Sequence, residues 1–126
     1  MNNLSLKGIG VALVVPFNKD LSIDWIGYEK LIDYVIDGGG NYVVVNGTTG
    51  ESATTSFEET QAQISAAVKI VNNRVPVIAG VGYNNTAEVI KDINEYDLAG
   101  VSGILSVSPY YNRPTQEGIY QHYKAI

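Results

Sequence analysis

The 126-residue chain contains no cysteine, so neither a disulfide nor thiolate chemistry is open to it, and a reducing, cytoplasmic setting is expected. Histidine is nearly as scarce. The single His122 lies on the last helical segment with no His, Cys or carboxylate cluster at ligand spacing around it, so a structural role is expected, with no metal site and no Ser-His-Asp triad. Basic residues are outnumbered by acidic ones, 8 against 13, for a net charge of −5, which disfavours nucleic acid as a partner. No stretch approaches the ~20 apolar residues of a membrane span, so no membrane partner is expected. The segment Met1-Asn2-Asn3-Leu4 has neither the basic flank nor the apolar run of a signal peptide.

What is present is an ordinary globular composition, 45% hydrophobic and 17% charged. Short β-branched runs at 9–15, 42–45, 75–79 and 101–107, bounded by Gly, Pro or Asn, predict four buried strands about thirty residues apart. Between them, apolar residues fall at helical spacing: Tyr28, Leu31, Ile32, Val35 and Ile36, then Phe57, Ile64, Val68 and Val71, then Val89, Ile90 and Ile93. A fourth helix is expected from Gln116. Ser56 with Glu59, and Asn85 with Glu88, have the spacing of reciprocal N-terminal caps. The Gly38-Gly39-Gly40 run is expected to stop the first helix, and Gly100 the third. Strand and helix in alternation imply right-handed crossovers and a parallel α/β sheet. Four parallel strands alone leave two long edges, which proteins usually cover or pair, and a small flavodoxin-like sheet is the plain alternative.

The least ordinary residues all follow strands, so parallel geometry gathers them at one rim, where α/β proteins build sites. In Gly47-Thr48-Thr49-Gly50-Glu51 the glycines allow close backbone approach, and successive N–H groups can face a carboxylate or phosphate oxygen. A tight turn whose hydroxyls cap backbone is the plain alternative. Gly80-Val81-Gly82 lacks the third glycine of a dinucleotide fingerprint, Asn85 standing in its place, and reads as a turn into a capped helix. Pro109-Tyr110-Tyr111-Asn112-Arg113-Pro114 is a stiff loop whose phenols suit either proton relay or packing at a subunit contact.

Taken together, Val11 to Phe17, Gly47 to Ser52, Pro76 to Gly80, Asn85-Thr86 and Ser108 to Pro114 with Gln116-Glu117-Gly118 resemble the dihydrodipicolinate synthase family of pyruvate-dependent class I aldolases. The resemblance runs the length of the chain. It implies a TIM (βα)8 barrel of which residues 1–126 form the N-terminal half, the first four βα units of a single domain. It further implies condensation of pyruvate with aspartate semialdehyde in lysine biosynthesis, through a Schiff base on a sixth-strand lysine that this sequence does not contain, and without a cofactor. By the same resemblance Thr48 is a proton-relay residue, the N–H groups of Thr48 and Thr49 hold the keto-acid carboxylate, and Tyr111 reaches across a dimer contact to a neighbour's site. Ser52, Asn84, Glu88 and Tyr110 match positions at which relatives bind lysine as an effector, and a homodimer or homotetramer is implied. Val15, where threonine is usual, and Tyr83, where a small residue is usual, depart from the pattern, and Tyr83 is expected to narrow the effector cleft.

Two other readings remain open. A sister enzyme such as N-acetylneuraminate lyase shares the fold and the pyruvate chemistry, although the Thr-Thr and Tyr-Tyr pairs favour the synthase. A catalytically silent half-barrel that pairs its exposed sheet edges is a reading of a different class. It is motivated by Lys7, Lys19, Lys30, Lys69, Lys91 and Lys124, none of which is expected at a strand end facing the pocket.

Overall fold

A computed structural model describes residues 6–126. Four parallel strands, β1 (Gly10–Ala12), β2 (Tyr42–Val45), β3 (Val77–Gly80) and β4 (Gly103–Leu105), lie side by side in chain order. They alternate with helices α1 (Trp25–Asp37), α2 (Phe57–Val71), α3 (Thr86–Glu95) and α4 (Gln116–Ala125). The order decides between the two sheet architectures. A flavodoxin-like sheet reverses direction after its first strand, whereas right-handed crossovers between consecutive neighbours place every helix on one face, as in the first four units of a TIM (βα)8 barrel.

The core lies between the sheet and helices α1 and α2. Val43 and Val45 of β2 and Val77 and Ala79 of β3 point into it, as period-two alternation requires, and meet Tyr28 and Ile32 of α1 and Ile64, Ala67 and Val71 of α2. Each fully buried Leu, Val or Ile here stabilises the fold by ~1.5–3 kcal/mol. At the β4 edge Leu105, level with Gly80, is exposed on the opposite side, and Ile104, level with Ala79, is exposed on the helix side.

Helix starts follow local chemistry. Asp24 caps α1 by accepting from the Gly27 N–H at 2.9 Å, and Thr115 caps α4 by accepting from Gly118 at 3.1 Å. The capping box of α2 is complete: Ser56 N–H donates to Glu59 at 2.8 Å while Ser56 Oγ accepts from Glu59 N–H at 3.2 Å. The expected box on α3 is only half formed. Asn85 accepts instead from Ala87 N–H at 3.0 Å, and Glu88 makes no return bond.

Other expectations shift as well. The first strand is three residues rather than the run 9–15, although Leu13 still donates to the Val44 carbonyl at 2.9 Å. At β3 the ladder starts after Pro76, which contributes only its carbonyl to Val43. The fourth strand spans 103–105 rather than 101–107, since Val101 turns back onto Leu98. Gly38 and Gly39 do end α1, with Gly39 at φ +94°. Gly100 has φ +83° but does not end α3, which stops at Glu95 when Tyr96 becomes extended. Among the described residues no helix is long and apolar enough to cross a membrane.

Candidate functional site

A cavity of about 270 Å³ opens at the C-terminal ends of β2, β3 and β4. Its wall is assembled from Asn46 and Thr48 after β2, Ser52 farther along the same loop, Gly82 and Tyr83 after β3, and Ser106, expected inside the fourth strand but lying just after β4. Parallel pairing throughout the sheet is what brings these loops to one rim.

The Thr48 loop is a single 3-10 turn over Thr48–Gly50. Gly50 N–H donates to the Gly47 carbonyl at 2.9 Å and Glu51 N–H to the Thr48 carbonyl at 3.1 Å. The N–H groups of Thr48 and Thr49 open the turn and so have no acceptor within it. Thr48 lines the cavity; Thr49, also exposed, does not. Beneath the turn a Cβ at Gly50 would stand 3.6 Å from the Val15 methyl and 3.1 Å from the Leu13 carbonyl oxygen, so glycine permits the turn to rest directly on the chain leaving β1. Val15 thus presents a methyl where threonine would present a hydroxyl.

The loop after β4 is built differently. Tyr110 N–H donates to Asn84 Oδ1 at 2.5 Å, which ties this loop to the one after β3. The Tyr123 hydroxyl of α4 donates to the Ser106 carbonyl at 2.9 Å and lies 3.0 Å from Ser108 Oγ. Tyr111 is 93% exposed, sits at φ +68°, and does not line the cavity. Thr48 and Tyr111 therefore share a rim, but within one chain they do not share a wall.

Of the four effector positions, Asn84 and the Tyr110 backbone touch, while Ser52 and Glu88 fall in separate cavities. The second cavity, about 410 Å³, lies between α2 and α3 and is lined by Glu88, Asp92, Tyr96 and Thr60. Tyr83 lines both, so its ring separates them. Burial, reinforced by Tyr96 and Asp92 beside it, pushes the Tyr83 hydroxyl well above the usual phenol range. Burial and Asp92 raise Tyr96 also.

His122 is buried in the last turn of α4, where Nδ1 pairs with Thr86 Oγ1 at 2.8 Å and pins α4 to α3. Among the described residues no group of three or more His, Cys, Asp or Glu converges as a metal site. All the lysines are exposed, and none lines the cavity at the rim. Sequence reading did not single out Asn46, Ser106 or Gly82 as wall residues. Asn46 and Gly82 carried only the signal of a strand-end loop, and Ser106 was expected inside the fourth strand.

The model of the dihydrodipicolinate synthetase family matches residues 5–126. The 4-hydroxy-tetrahydrodipicolinate synthase of Cytophaga hutchinsonii is 54% identical over 94% of this chain and 40% of its own length. The crystal structure of dihydrodipicolinate synthase from Bacillus anthracis superposes with TM-score 0.93 at 46% identity, over 98% of this chain and 42% of that one. The chloride-inhibited enzyme of Acinetobacter baumannii in complex with pyruvate gives TM-score 0.91 at 45% identity, over 96% and 42% respectively. The chain thus spans about 40% of the length of the curated relatives it matches. Its sequence and its four-unit fold together place this chain in the dihydrodipicolinate synthetase family.

Proposed function

We propose that residues 1–126 are the N-terminal half of one (βα)8-barrel domain, and that the whole barrel condenses pyruvate with aspartate semialdehyde to give 4-hydroxy-tetrahydrodipicolinate. The observation that carries this reading is the turn at Thr48–Gly50, which offers two uncommitted N–H groups and brings Thr48 to the wall of the rim cavity. Likeness to an enzyme whose structure contains pyruvate supports it.

On this reading a sixth-strand lysine attacks the ketone of pyruvate and, with loss of water, forms an imine. Loss of a methyl proton gives an enamine whose carbon attacks the aldehyde of the second substrate. No cofactor is needed, because the iminium nitrogen accepts the electron pair. The N–H groups of Thr48 and Thr49 bind the keto-acid carboxylate, and the Thr48 hydroxyl passes protons. Tyr111, exposed and off the cavity wall, serves the site of a neighbouring subunit in a homodimer or homotetramer. The setting is the cytoplasm, in lysine biosynthesis.

Lysine is the proposed effector, held by Ser52, Asn84, Glu88 and Tyr110. Its carboxylate group suits the amide and hydroxyls, and its ammonium groups suit Glu88. Tyr83 stands between these positions, so lysine binding requires the ring to move or the site to draw on a second subunit.

Borohydride reduction with pyruvate tests the reaction. The 126-residue chain is expected to keep its mass, having no lysine at the cavity, while an eight-unit barrel beginning with it gains a pyruvate adduct and consumes aspartate semialdehyde in preference to N-acetylmannosamine. An adduct on the short chain, or none on the eight-unit protein, contradicts the proposal. Calorimetric titration of the eight-unit protein with lysine should release or absorb heat; a flat titration removes the effector.

A further inference from the structure

Asn46 joins β2 to the Thr48 turn and has no place in the chemistry above. It is 3% exposed, and its backbone takes the left-handed conformation at φ +53°, which asparagine tolerates better than most residues. This change of hand ends the ladder, whose last pair between β2 and β3 is Val45 with Ala79. The side chain then supplies what the backbone no longer can. Asn46 Nδ2 donates to the Gly80 carbonyl at 2.9 Å, in place of the next rung. Its Oδ1 accepts from Thr60 Oγ1 on α2 at 3.4 Å, and Thr60 Oγ1 lies 3.1 Å from Thr55 Oγ1.

A second observation comes from Gly80. A Cβ there would collide with the Asn46 carbonyl oxygen and stand 3.0 Å from Gly47 Cα, so the chain entering the turn lies flat on the end of β3. One amide therefore joins β2, β3 and α2 immediately before the turn that carries the Thr48 and Thr49 N–H groups.

We propose that Asn46 is a positioning residue, whose side-chain amide sets the orientation of the Thr48 and Thr49 N–H groups toward the substrate carboxylate. The inference rests on the reading that these groups bind a keto acid. It goes beyond that reading by assigning the control of their aim to a buried side chain whose amide is committed to Gly80 and Thr60.

The test uses the eight-unit enzyme and three variants. Asn46→Gly keeps the left-handed backbone and removes the amide; its KM for pyruvate should rise by about tenfold with kcat changed by less than about threefold, as expected for loss of one buried hydrogen-bonding group. Thr60→Val, which frees Oδ1 and Thr55 Oγ1 but leaves the bond from Asn46 to Gly80 in place, should raise KM by about threefold. Asn46→Asp turns an oxygen toward the Gly80 carbonyl, so its KM should recover toward the parent value as falling pH protonates the carboxyl and restores a donor. A purely structural role would not produce that recovery. Unchanged KM in both Asn46 variants, or a loss confined to kcat or to melting temperature, overturns the proposal.

Hydrogen exchange of residues 47–51 gives a substrate-free arm, expected to speed up in Asn46→Gly or, should that variant not fold, in Thr60→Val. Faster exchange in a protein that forms no pyruvate adduct would uphold the positioning role and sink the functional reading. Unchanged exchange together with normal kinetics sinks the positioning role alone.

Discussion

At the junction of β2 and β3 every residue of β3 is buried, and the loop that follows β2 is clamped by a buried amide, by Gly80 beneath it and by the chain leaving β1. At β4, two of three strand residues are exposed, and the following loop carries Tyr111 and Arg113 at positive φ with their side chains in solvent. Both loops leave the same rim of one parallel sheet. The difference shows that a shared rim does not confer shared order: a strand-end loop is held by the partners on both sides of its strand, and among the described residues β4 pairs only with β3. The clamped loop suits the recognition of a carboxylate, which requires fixed donors. The open loop suits contact outside the chain.

That contrast can be broken most sharply at Gly80. Gly80→Ala sets a methyl against backbone rather than against a yielding side chain, so it should cost ~1–3 kcal/mol and lower the melting temperature by roughly 5–15 °C. A thermal melt within about a degree of the parent would show that the clamp is loose.

A smaller effect tests the core behind the clamped side. Tyr28 is fully buried, its hydroxyl has no partner among the described residues, and burial raises its pKa above the ordinary 10.0. Tyr83 is raised in the same direction. Above pH 10.0 the unfolded chain therefore loses phenolic protons that the folded chain keeps, so the unfolded state binds fewer protons and stability falls as pH rises. Tyr28→Phe should flatten this decline and change stability at neutral pH by only ~1 kcal/mol or less, since it removes an unpaired polar group. Urea midpoints on either side of that pH measure both; an unaltered alkaline slope in the variant would count against it.

The open loop should respond least. Arg113→Gly relieves a left-handed conformation at φ +49° but frees the unfolded chain, and the two effects should nearly cancel, within ~0.5 kcal/mol. A chemical denaturation shift well beyond this would mean that the loop is braced after all.

Much of the fold was legible because it is written locally. Helical spacing placed α1, α2 and α3, and Ser56 with Glu59 announced a cap that forms as expected. Asn85 with Glu88 has the same spacing, yet its box stays half made, and both Glu88 and Tyr83 line the cavity between α2 and α3. Gly100 carried a glycine's signal and has a glycine's φ, but α3 had already ended at Tyr96, which stacks on Phe57 of α2 at 4.5 Å. The threonine turn was legible as a unit; that Thr48 lines the cavity and Thr49 does not depended on the side of the turn that β3 and β4 cover.

Alternation of strands and helices, the parallel direction of the sheet and the gathering of four loops at one rim came from the sequence alone, since periodicity, caps and crossover handedness act over a few residues or a single unit. Tertiary structure decided which neighbours those loops found: the bond from Asn46 to Gly80, Tyr83 standing between two cavities, and Tyr111 left exposed. These join residues up to 34 positions apart, and a contact made by closing so long a loop leaves no periodic trace in the chain that makes it.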